Sequence, residues 1–75
     1  MFIGDVRVIV ENGPLSAQEA AHYIRQIQRR SRKRRLVRVT FVVTPDHLDL
    51  KYVLEGIPFE RICRIGSDDR IRLAS

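Results

Sequence analysis

The chain has 75 residues, with 14 Lys or Arg against 9 Asp or Glu and a formal net charge of +5. Its length allows one domain with one small core, which buries only about 60 % of the surface the unfolded chain exposes. One cysteine, Cys63, leaves no internal disulfide and excludes the disulfide-rich secreted class.

Asp5 and Arg7 interrupt the apolar residues at the start of the chain, unlike a cleaved leader. No apolar run approaches the ~20 residues of a membrane span. The chain is expected to be soluble and cytoplasmic, or peripheral at a membrane.

Val6, Val8 and Val10 alternate with Arg7 and Ile9, a period-2 pattern that predicts a strand, and Glu11-Asn12-Gly13-Pro14 ends it in a turn. Ser16-Ala17-Gln18-Glu19 offers a capping box, with Leu15 and Ala20 at the staple positions. Ala17, Ala20, Ala21, Ile24 and Ile27 then recur at helical spacing opposite Gln18, Glu19, His22, Arg25, Gln26 and Arg29. The spacing predicts a helix that packs one face on a sheet.

The helix runs into a basic cluster. Six of the seven residues from Arg29 to Arg35 (Arg29, Arg30, Arg32, Lys33, Arg34 and Arg35) are cationic, and without them 8 basic residues face 9 acidic ones. The charge excess is therefore local, and it points to an anionic partner: nucleic acid, an anionic membrane or an acidic protein.

From Leu36 the period returns to 2, with Val37, Val39, Phe41 and Val43 on one face and Arg38, Thr40 and Val42 on the other. Thr44-Pro45-Asp46-His47 predicts a turn, and Leu48, Leu50 and Tyr52 continue the alternation, so residues 37–53 read as a hairpin. Residues 59–65 form a further strand, Gly66-Ser67-Asp68-Asp69 turns the chain, and Ile71 and Leu73 begin a last strand on one side of it. The expected class is α+β: strand, helix, then four strands in an antiparallel meander.

Catalytic constellations are missing from this pattern. His22 and His47 stand apart, a single cysteine gives no metal-ligand spacing, and no cofactor is implied. Cys63 reads as a packed strand residue and Asp68-Asp69 as turn residues. The chain is expected to be a noncatalytic binding module. It lacks the signatures of an RRM, a KH domain or a helix-turn-helix.

The order of motifs resembles a phosphotyrosine-binding (PTB) domain, a module on the pleckstrin-homology-like β-sandwich. Phe2-Ile3-Gly4 is similar to the family's Tyr-Leu-Gly opening, and the Asn12-Gly13 turn and the helix with Glu19-Ala20 and Ile24 fall where the family inserts its helix. The segment from Val39 to Leu48 resembles its hairpin, with His47 where the family often has Gly. Ile57-Pro58-Phe59-Glu60-Arg61-Ile62-Cys63 resembles a later strand, and Asp68-Asp69 an acidic turn.

The resemblance spans nearly the whole chain, yet the sequence ends at Ser75 without the family's later strands and C-terminal helix. It implies a partial PH/PTB-like sandwich with one helix. It also implies an adaptor function in signalling, in which Arg70, Ile71, Arg72 and Leu73, at the start of the strand reaching Ser75, pair with a peptide or protein tail by β-augmentation.

Separately, the six cations would recruit an anionic phospholipid such as a phosphoinositide, at about 1 kcal/mol per Lys or Arg near an anionic surface. Arg61, Arg64, Arg70 and Arg72 are further candidates for a phosphate. Two alternatives use the same features. One is a nucleic-acid-binding module that places the basic run on phosphates. The other is a structural oligomerisation domain that pairs the terminal strand with a second copy.

Overall fold

A computed structural model of the chain describes residues 1–73. It contains strands β1 (Phe2–Ile3), β2 (Val6–Glu11), β3 (Leu36–Val43), β4 (Leu48–Leu54), β5 (Arg61–Ile65) and β6 (Ile71–Leu73), and one helix, α1 (Ala17–Arg30). The class is α+β, with the strands in one mixed open sheet in the order β1-β2-β3-β4-β5-β6. β2 and β3 are parallel, joined by α1 as a crossover, and every other neighbouring pair is antiparallel. The β-sandwich implied by the PTB resemblance is not shown, because the described residues form a single sheet layer with the helix on one face. Residues 74 and 75, part of the segment expected to pair with a peptide, lie outside the described residues.

The helix forms where the sequence predicts it. The Ser16 hydroxyl accepts from the Glu19 amide at 3.1 Å, satisfying one of the first-turn donors. The other half of the capping box differs: the Glu19 carboxylate is 3.1 Å from the Ser16 hydroxyl instead of reaching its backbone amide. The buried stripe is Ala20, Tyr23, Ile24 and Ile27, while Ala17 is exposed and Ala21 only half-buried. Tyr23 lies on this stripe because the helix is turned toward Phe41, whose ring centre is 6.3 Å from its own.

Val6, Val8, Val39, Phe41, Leu50, Tyr52, Cys63, Ile65 and Ile71 meet that stripe from the sheet. Leu36 joins them although it is three residues before Val39, a spacing that regular alternation would place on the opposite face. A register shift between Leu36 and Arg38 inserts one extra residue and changes the parity. Leu36 therefore takes the core place expected of Val37, which is half-buried.

Three further details depart from expectation. Phe2–Ile3 forms a short strand before the first one predicted. β5 starts at Arg61, leaving an exposed Phe59 in the preceding loop. β6 starts at Ile71, so Arg70 belongs to the turn.

Candidate anion-binding site

The basic run wraps the C-terminal end of α1. Ser31 ends the helix, its N–H donating to the carbonyls of Ile27 at 3.0 Å and Gln28 at 3.3 Å, and the chain then turns through residues 32–34 toward β3. Arg29 and Arg30 in the last helical turn face the negative end of the macrodipole.

Between this corner and the sheet lies an open cleft of about 460 Å³. Its cations are Arg29, Arg30, Arg32, Lys33 and Arg34 from the run and Arg61 from β5, and its apolar floor is Tyr52, Leu54 and Leu73. Among the described residues no carboxylate lines it. None of these six cations has an ion-pair partner among the described residues.

Arg61 carries the most specific mark of this site. Its Nε is buried and has no hydrogen-bond partner among the described residues. Leaving such a donor unsatisfied costs roughly 1–3 kcal/mol. Arg34 is fixed differently, with its guanidinium 3.3 Å from the carbonyl of Glu55 and passing over Gly56, where an added Cβ would lie 2.8 Å from it. Gly56 also has a φ of +82°, so one residue provides both the turn and the space for Arg34.

Arg35, expected at the anion site, is not on the cleft. It bonds Glu55 at 2.9 Å and approaches Asp5 at 3.5 Å, and these carboxylates hold its guanidinium pKa above the usual value. Arg64 is likewise paired, with Asp49 at 2.8 Å, and Arg72 with Asp68 at 2.7 Å.

The four residues expected to hold a peptide have unlike places. Ile71 is 3 % exposed and belongs to the core, whereas Leu73 is 68 % exposed and forms part of the cleft floor. Arg70 and Arg72 are exposed. The Gly66 N–H donates to the Arg70 carbonyl at 3.2 Å, and Arg64 is paired with Arg72 in the same ladder. Hydrogen-bonded pairs alternate along an antiparallel ladder, so Arg72 directs its backbone groups to β5 while Ile71 and Leu73 direct theirs outward. Among the described residues nothing pairs with that outer side.

Beneath the cleft Cys63 is buried, and burial pushes its thiol pKa up, as expected for a packed residue and not an activated nucleophile. Among the described residues no group of three His, Cys, Asp or Glu side chains converges as metal ligands would. No described helix is long and apolar enough to cross a membrane.

The charge run is legible in the sequence, and Arg61 was one of several scattered arginines there. Tyr52 and Leu54 as the floor were not foreseen, since Tyr52 read only as an alternating strand residue and Leu54 lay just past the expected hairpin. Comparison with family models, curated proteins and solved structures finds no match.

Proposed function

We propose that the chain is a noncatalytic, adaptor-type binding module that takes an anionic phospholipid headgroup in the cleft at the end of α1 and an extended protein segment along β6. The observation that carries this reading is the cleft itself, with six cations and an Arg61 Nε that have no ion-pair or hydrogen-bond partner, respectively, among the described residues, over an apolar floor. Like charges gathered around one concavity repel, and a bound anion relieves that repulsion. A pocket of this size suits a headgroup, and its apolar floor can lie against the glycerol end of the lipid. The outward backbone groups of Ile71 and Leu73 support the second part, since an unpaired edge can accept another strand. Leu73 adjoins both places. The PTB resemblance enters as the mode of peptide capture.

Cosedimentation with vesicles of neutral lipid, with and without anionic lipid, tests the reading. The parent should bind only the anionic vesicles, and a variant with Arg32→Ser, Lys33→Ser and Arg34→Ser should lose that binding while keeping its circular dichroism. Undiminished binding at low salt overturns it. Tight duplex-DNA binding without vesicle binding, with a slope of log affinity on log salt near −0.9 per phosphate contact, replaces it with the nucleic-acid reading.

A further inference from the structure

The face of the sheet away from α1 carries no second layer among the described residues. Its side chains lie in levels set by the strand register. Ile9, Thr40, Lys51 and Ile62 share the middle level across β2, β3, β4 and β5. Two residues along in one direction lie Glu11 on β2 and Arg64 on β5. In the other direction lie Arg7 on β2 and Glu60, which reaches Arg38 on the same level at 3.5 Å.

The levels form a pattern: β2 reads Arg, Ile, Glu where β5 and the residue before it read Glu, Ile, Arg. Arg7 and Glu11 have no ion-pair partner among the described residues. Ile62 is 50 % exposed and Ile9 half-buried.

We propose that this face is the interface between two copies of the chain, related by a twofold axis that runs along the strands between β3 and β4. That rotation carries β2 over β5 and keeps each residue at its own level. Arg7 then meets Glu60 of the second copy, Ile9 meets Ile62, and Glu11 meets Arg64, each contact occurring twice. Lys51 lies over Thr40 of the second copy, where its stem covers apolar surface and its ammonium donates to the hydroxyl. Sheets stack face to face about 10 Å apart with strands within about 30° of each other, so this superposition suits two equally twisted sheets. A twofold interface must be self-complementary, and these charges are. The second layer that the single sheet lacks is supplied by the second copy.

Sedimentation equilibrium of charge-swapped chains tests this. One variant carries Arg7→Glu and Glu11→Arg, the other Glu60→Arg and Arg64→Glu. Each alone sets like charges against each other at all four contacts and should dissociate about tenfold or more readily than the parent. Their equimolar mixture restores every contact between the copies and should associate far more tightly than either alone, short of the parent because the second variant also breaks the in-chain pairs of Glu60 with Arg38 and Arg64 with Asp49. Ile62→Asp, at an exposed position, should also weaken the dimer with unchanged circular dichroism. Leu73→Pro, which blocks the outer edge of β6, should leave association intact. A parent that is monomeric at millimolar concentration, a mixture that stays monomeric, or either swapped variant associating as the parent does overturns the proposal. Loss of association in Leu73→Pro assigns it to the β6 edge instead.

Discussion

The Tyr23 hydroxyl donates a hydrogen bond to the carboxylate of Asp69, tying α1 to the turn between β5 and β6 across 46 residues of sequence. His22 reaches the same carboxylate at 2.9 Å. Asp69 has a φ of +65°, in a tight loop closed by its N–H to the Gly66 carbonyl at 3.0 Å. Aspartate tolerates this left-handed conformation better than most residues, and its side chain is thereby turned toward the helix.

This latch makes stability depend on pH at both ends. Burial and the Asp69 carboxylate push the Tyr23 pKa to about 12, from an ordinary 10.0. Its contribution is complete below pH 10 and should fall as pH rises from 10 toward 12, because only the unfolded chain releases the proton there. Tyr23→Phe should flatten that alkaline loss in thermal melts.

At the acid end, Tyr23 and then His22 hold the Asp69 carboxyl below its ordinary 3.8. Asp49 is lowered chiefly by Arg64, and Asp68 by the Arg70 backbone N–H. A lowered carboxyl stabilises above its unfolded value and loses that effect as pH falls through the folded one. Melts below pH 4 should show a progressive decline, reduced by Asp69→Asn.

The helix cap and stripe differ in what they contribute. Ser16→Ala should cost about 1 kcal/mol through the lost cap. Ile24→Ala, deep in the core, should cost about 2–5 kcal/mol by urea unfolding. Equal costs for the two would contradict the assigned stripe.

Gly56→Ala tests whether Arg34 is positioned by the turn. A Cβ there is strained by the positive φ and displaces the guanidinium, so the variant should lose about 1 kcal/mol and bind anionic vesicles more weakly. Gly4→Ala has a similar φ but open space around it, and should lose stability without changing that binding.

The β6 edge gives a separate prediction. Leu73→Pro removes an outward N–H while Arg64 and Arg72 keep their pairing, and should abolish capture of an added strand without unfolding the sheet. Peptide binding retained by this variant would place the partner elsewhere.

The α+β class, the helix and the meander were legible because each rests on local periodicity and capping. The shift that buries Leu36 was not, since a bulge is decided by how β3 pairs with Leu54 and Val53 and not by residues 36–38 alone. Nor was the division of the basic run. Arg35 is held by the carboxylates of Glu55 and Asp5 while Arg34 reaches only the Glu55 carbonyl, and tertiary structure alone brings these partners to them. The latch at Asp69 was hidden for the same reason, because a turn aspartate and a helix tyrosine carry no mark of being partners.

The central claim, that the cleft at the end of α1 is built for an anion, is tested most directly by titrating the ¹⁵N-labelled protein with inorganic pyrophosphate at low salt and following amide and arginine side-chain resonances. Saturable shifts should concentrate on residues 29–34 with Tyr52, Leu54, Arg61 and Leu73, and the Arg61 Nε–H should move most. Shifts spread evenly over all arginines, or an unmoved Arg61, would contradict it.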